Sequence, residues 1–421
     1  MKKEKSWDAE LTAMAQRART ATAALSRAPA EARTRLLETA AQKLLDKKDA
    51  ILTANARDVA AAQGKLRKAM IDRLSLDAAR MEGMAKGLRA VAAQPDPVGK
   101  TLEEWTQPSG LRIARVSVPL GVIGMIYESR PNVTAEAASI ALRGGNAIIL
   151  RSGSDCFESA TAITEALREA LKECRLPVDA VQIIPTTDRS AVGALLKLNN
   201  LVDIIVPRGG RSLIERVEAE SRIPLLRQYE GICHVYIHSH ADVKKAVAIA
   251  HNAKLRRTSI CGAAECLLID RAALEGAGAA AVKDLLDAGC EIRGDEAVMR
   301  LDSRVKAAQA SDWGKEFLDA VIAARWVKGV DEAAAHIREF GSGHTDCIVT
   351  EDKAAAKKFC DEVDSAIVMV NASTQFADGG EFGFGGEVGI ATGRLHARGP
   401  IGAAQLTSYK YIVIGNGTVR G

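Results

Sequence analysis

The chain has 421 residues, 47% hydrophobic and 26% charged, which suits a globular protein of two or three domains. Its 57 basic and 53 acidic residues leave a formal net charge of +4, too balanced for a nucleic-acid partner, so any anion site must be local. Eight scattered cysteines without a CxxC pair, no apolar leader after Met1, and no stretch approaching the roughly 20 apolar residues of a membrane span predict a reduced, cytoplasmic, non-membrane protein.

Residues 8–95 read as consecutive helices, with apolar residues at helical spacing from Glu31 to Leu52 and breaks near Asp77 and at Pro95-Asp96-Pro97. After the turn at Pro108-Ser109-Gly110, Leu111 to Val118 alternates like a strand with one wet face. From there strands and helices interleave. Apolar runs at Val122–Tyr127, Ala147–Leu150, Val181–Ile184 and Val202–Val206 are separated by helical patterns over 133–142, 156–173 and 190–197. This alternation predicts βαβ units and a parallel sheet. It resumes at Glu265–Ile269, Arg325–Val327, Cys347–Val349 and Ala366–Val370, and Tyr409–Ile414 reads as a last strand. The strands at 111–118 and 409–414 need partners, either each other or a subunit interface.

Four segments carry candidate chemistry. Between Asn252 and Glu265, Cys261 stands among Lys254, Arg256, Arg257 and Gly262, in a loop before a strand. Nearby cations favour thiolate, a good acyl-transfer nucleophile, although a cysteine can equally be a small buried hydrophobe, as suits Cys266. In Tyr127–Thr134, Asn132 either caps the following helix or aims its amide at an oxyanion. Arg151-Ser152-Gly153 and Pro207-Arg208-Gly209-Gly210 are strand-to-helix turns with a cation, suited to phosphate, though each also reads as an ordinary turn. The fourth, 378–389, has six glycines and predicts tight bends or close approach to a ligand. His234, His238 and His240 fall on one strand face but lack a carboxylate–histidine motif, so no metal is expected.

Taken in order, Val118-Pro-Leu-Gly-Val-Ile-Gly124, Tyr127–Thr134, Pro207–Gly210, Gly341–Thr345, Val370–Thr374, Leu395–Pro400 and Tyr409–Val413 span nearly the whole chain. Together they resemble the glutamyl phosphate reductases of the aldehyde dehydrogenase superfamily. That resemblance implies an α/β fold of two Rossmann-like parallel-sheet domains with a small β oligomerisation flap. The cofactor domain would comprise 1–103 and 119–235, the catalytic domain 236–400, and the flap 104–118 with 401–421.

It also implies that Cys261 is the nucleophile and that Asn132, with the Cys261 N–H, forms the oxyanion hole. Arg151, Ser152, Gly153, Pro207, Arg208, Gly209 and Gly210 would bind NADP, and Glu316 the nicotinamide ribose. Arg130, Arg256 and Arg257 are candidates for the substrate phosphate, and Asn371 for its amino and carboxylate end. The implied reaction is NADPH-dependent reduction of L-glutamyl 5-phosphate to glutamate 5-semialdehyde for proline biosynthesis. A homo-oligomer is expected, with glutamate 5-kinase as handover partner. One departure bears on the alternatives, a hydrolytic NAD(P)-dependent aldehyde dehydrogenase and a non-catalytic scaffold of the same fold. Hydrolytic relatives carry Glu-Leu-Gly-Gly-Lys before the cysteine, whereas this chain reads Arg227-Gln-Tyr-Glu-Gly-Ile-Cys-His234, without that base.

Overall fold

The computed structural model describes residues 6–227 and 230–420. They form two compact units: Met1–Arg227 with Gly383–Gly389 and Ile401–Gly421, and Gln228–Phe382 with Ile390–Pro400. No helix among the described residues is long and apolar enough to cross a membrane.

The first unit opens with the predicted helices. In Ala30–Asp46, Leu36, Leu37, Ala40, Ala41 and Leu44 recur three and four residues apart and bury one stripe. The expected break at Asp77 is a cap, its carboxylate accepting from the Arg80 N–H at 2.7 Å. Four parallel strands follow: β1 (Val122–Tyr127), β2 (Ala147–Ser152), β3 (Val181–Ile183) and β4 (Ile204–Arg208), in the order β3-β2-β1-β4. Pro207 is tolerated in β4 because this strand lies at the sheet edge. The helix Phe157–Glu173 has no side-chain cap of its own. Instead Asp58, from the helix Lys48–Ala62, accepts from the N–H groups of Glu158 and Ser159. Burial holds Asp58 above the usual carboxylate range despite those bonds.

The two orphan strands pair with each other. Arg112–Pro119 is the centre of an antiparallel sheet, with Thr407–Ile414 on one side and Thr101–Thr106 on the other. The strand Thr101–Thr106 was not visible as a pattern because Leu102, Glu103 and Glu104 all lie exposed and nothing alternates. Its main-chain ladder to the centre strand is flanked by two exposed ion pairs, Glu103 with Arg115 and Glu104 with Arg112.

The second unit is built on seven parallel strands: β5 (Cys233–Ile237), β6 (Ala264–Asp270), β7 (Glu291–Gly294), β8 (Lys306–Ala307), β9 (Val321–Val327), β10 (Thr345–Val349) and β11 (Ile367–Val370). Their order is β8-β7-β9-β6-β5-β10-β11. Every residue of β5, β6 and β10 is buried, as expected for strands covered on both faces. In the glycine-rich segment residues 380–383 lie exposed, whereas at Gly385, which belongs to the first unit, a side chain would strike the Ala90 carbonyl of the helix Ala78–Ala92 in that same unit.

Candidate active site

In the first unit the chain runs outward through β1, β2 and β3, then returns to the other side of β1 as β4. Such a reversal opens a crevice at the carboxyl ends of the strands. Glu128 leaves β1 there, and Gly209 and Gly210 leave β4. The Gly210 N–H reaches Glu128 Oε2 at 3.5 Å, and a Cβ at Gly209 would lie 2.8 Å from the same oxygen. A side chain at Gly209 would have to displace the Glu128 carboxylate and the Leu213 side chain. Ser129 takes a left-handed φ of 52°, held by hydrogen bonds from its N–H and hydroxyl to Asp155 beyond Gly153.

Arg151 ends β2 with only 6% of its surface exposed. Its Nη atoms donate to the main-chain oxygens of Ser152 (2.9 Å) and Thr187 (3.0 Å). Burial pulls its pKa down, with Glu128 opposing. Arg151 Nε and Ser152 Oγ are both buried without a hydrogen-bond partner among the described residues. Buried polar atoms are rarely left so. A cation and a hydroxyl with open valences at one strand end fit an anionic ligand such as a nucleotide phosphate.

Asn132 begins the helix Asn132–Arg143, whose N-cap is Pro131 without a side-chain bond. Asn132 is therefore not the cap; its amide donates to Glu136 Oε1, one turn on, at 2.8 Å. Arg130 sits half-buried in the same turn.

In the second unit the chemistry gathers at the amino ends of the strands. Among the described residues only Cys261 and Cys360 are not buried cysteines. Burial pushes the thiols of Cys233, Cys266, Cys290 and Cys347 upward, which leaves them inert. Cys261 lies on the loop between the helix Val243–Leu255 and β6, and that loop is gripped from several sides. The buried Gln375 donates from Nε2 to the carbonyls of Ala253 (2.9 Å) and Arg257 (3.1 Å), while its Oε1 accepts from Arg256 at 3.4 Å. The Cys233 thiol donates to the Cys261 carbonyl at 3.1 Å. Gly231 presses on the Cys261 main chain so closely that any Cβ would overlap the carbonyl, and its N–H donates to Glu316 Oε1 at 2.8 Å. Gly231, Cys233 and Gln375 did not stand out in the sequence; a glycine just before an apolar strand was the available signal for the first.

Arg256 and Arg257 are exposed beside this loop. Lys254 is not, which corrects the expectation that it stands as an open cation beside the thiol. As part of the helix's last turn it points inward, fully buried, with Nζ 2.6 Å from Glu265 Oε2. Asn371 stands half-buried just after β11. In a left-handed conformation, it donates to the Thr350 carbonyl and accepts from the Thr350 N–H, which ties the end of β11 to β10. The three histidines do not gather: His234 and His238 stand about 13 Å apart along the strand at the usual rise per residue. His234 instead bonds Asp346 and faces Cys266 and His336, whose Nδ1 lies 3.3 Å from the Arg325 guanidinium, a cation that opposes metal binding.

Comparison with known proteins places this geometry. The profile of the aldehyde dehydrogenase family matches residues 2–287. The gamma-glutamyl phosphate reductase of Paramagnetospirillum magneticum is 55% identical over 414 residues, covering 98% of both chains. That of Caulobacter vibrioides is 54% identical over 412 residues, covering 97% of this chain and 100% of its own. The crystal structure of the Thermotoga maritima gamma-glutamyl phosphate reductase superposes with a TM-score of 0.95 at 43% identity, over 98% of this chain and 100% of its own.

Proposed function

The chain belongs to the aldehyde dehydrogenase family, among the gamma-glutamyl phosphate reductases, and on that premise we propose that Cys261 carries the reduction of L-glutamyl 5-phosphate through a thioester, with NADPH as the reductant. The observation that carries the reading is Cys261 itself, half-exposed on a clamped loop while the thiols around it are buried.

The Cys261 thiolate attacks the acyl carbon, and phosphate, already a good leaving group, departs without strong acid help. The Asn132 amide and the Cys261 N–H take the tetrahedral oxyanion, each donor contributing on the order of 3–4 kcal/mol. The exposed Arg256 and Arg257, with Arg130, receive the departing phosphate. Arg151 and Ser152, with their unmatched polar atoms, and the turn from Pro207 and Arg208 to Gly209 and Gly210, with Gly153, hold the dinucleotide phosphates. Glu316, already fixed by Gly231, takes the nicotinamide ribose. When bound, NADPH would supply the hydride to the thioester carbon, and the aldehyde forms as the bond to sulfur breaks. Cys261 then leaves as thiolate, and glutamate 5-semialdehyde closes on its own amine to pyrroline-5-carboxylate, a proline precursor. Without the hydrolytic Glu-Leu-Gly-Gly-Lys segment the thioester is spared from water.

The enzyme works in the cytoplasm as a homo-oligomer; exposed Tyr409, Tyr411, Ile412, Val413 and Ile414 on the small sheet support association there. Because acyl phosphates hydrolyse readily, a separate glutamate 5-kinase is the proposed handover partner. Reversal tests the chemistry. The protein should reduce NADP with pyrroline-5-carboxylate only when phosphate or arsenate is added; phosphate-independent turnover would mean hydrolysis instead.

A further inference from the structure

We propose that the buried Lys254–Glu265 ion pair is a positioning device that closes the base of the Cys261 loop and ties it to the segment carrying Glu316. This rests on the assignment of Cys261 as nucleophile and Glu316 as cofactor contact. Lys254 ends one side of the loop, in the last turn of the helix Val243–Leu255, and Glu265 is the second residue of β6 on the other side. Their charged atoms meet at 2.6 Å with side-chain exposures of 0% and 1%.

The second carboxylate oxygen faces the Glu316 segment, accepting from the Leu318 N–H at 3.4 Å. The Phe317 N–H also points to this carboxylate, and the Phe317 ring lies 5.9 Å from Lys254 Nζ. Next to Phe317, Glu316 accepts from the Gly231 N–H, and Gly231 presses on the Cys261 carbonyl. The contacts therefore close a circuit: Cys261 loop, Lys254, Glu265, Phe317 and Leu318, Glu316, Gly231, and back to Cys261.

An apolar pair of the same size would avoid the desolvation of two charges. It would have no directional bonds, however, and could not hold three segments in one register. Cys261 makes that register matter, because a reacting atom misplaced by about 1 Å can cost on the order of 100-fold in rate. The groups facing the pair are the thiols of Cys233, Cys266 and Cys290, with Arg293 and Lys315 around the Phe317 ring. No second carboxylate among the described residues hydrogen-bonds Lys254 Nζ, so Glu265 carries the tie.

Two variants test this in the full-length enzyme: Glu265→Gln, and the double variant Lys254→Met with Glu265→Leu, which removes both buried charges and preserves bulk. Three quantities are read: the alkylation rate of Cys261 by iodoacetamide without cofactor, kcat against KM for NADPH, and the melting temperature. Both variants should lower kcat and the alkylation rate together, by roughly 10- to 100-fold, and the double variant should do so at a melting temperature near wild type. A double variant with wild-type kcat and alkylation rate overturns the proposal, as does a loss that merely follows the unfolded fraction. Full activity in Cys261→Ser would sink the nucleophile assignment itself, whatever the ion-pair variants show.

Discussion

The two parallel sheets place their polar groups at opposite ends of their strands. In the four-stranded sheet these groups follow β1, β2 and β4, where a doubly wound order opens a crevice by itself. Main-chain turns, glycines and one buried arginine furnish that crevice. In the seven-stranded sheet Gly231 precedes β5, Cys261 precedes β6, Glu316 precedes β9 and His344 precedes β10. The crossover rule promises nothing at amino ends, so that site is assembled from side chains: a thiol, a glutamine clamp and an inward ion pair. A site made from topology should tolerate single changes better than one made from contacts.

The sharpest way to break this contrast is Gly231→Ala. A methyl group must displace the Cys261 carbonyl, so kcat should fall by about 100-fold or more while circular dichroism stays native. A near-wild-type rate would show that the Cys261 loop has slack. Arg151→Met should act more mildly on the first unit, raising the dissociation constant for NADPH roughly tenfold through the loss of charged hydrogen bonds. Its kcat should change little; fluorescence titration and steady-state rates separate the two. A larger fall in kcat than in affinity would erase the distinction between the sheets.

The smallest effect concerns the core around Cys266, where His336 lies 3.6 Å from the thiol. Burial, helped by His234 and Arg325, pulls His336 down to about 3. Its folded value lies below the unfolded one of roughly 6.5. The unfolded chain therefore binds more protons between those values, and stability falls as pH drops through that window. His336→Gln should flatten the decline of melting temperature between pH 6.5 and 4; an unchanged slope would mean that other groups govern acid sensitivity.

Much of the architecture was readable in advance. The runs from Val122 to Val206 form a parallel sheet because their apolar residues suit burial on both faces, and the intervening segments carry helical stripes. The thiol at Cys261 stood out through its cations and Gly262, and the turns at Arg151 and Gly209 through glycine after a strand. Other roles had no local signal. Lys254 and Arg256 are both cations of one cluster, yet one is buried and the other exposed, because helical phase at a helix end decides which way each points. Asn371 sat in a suggestive motif, and its bonds to Thr350, 21 residues away, had no local signal. Gln375 and Cys233 act through hydrogen bonds to main-chain carbonyls, which no side-chain pattern announces.

What the amino-acid order determined by itself was periodic and local: strand and helix phases, glycine turns, and a cysteine beside basic residues. Tertiary structure alone decided which thiols remain reachable, which lysine becomes buried against a glutamate, and which glycine touches the Cys261 carbonyl. Those outcomes depend on distances between segments far apart in the chain, and such distances are set by packing density rather than by any residue's own preference.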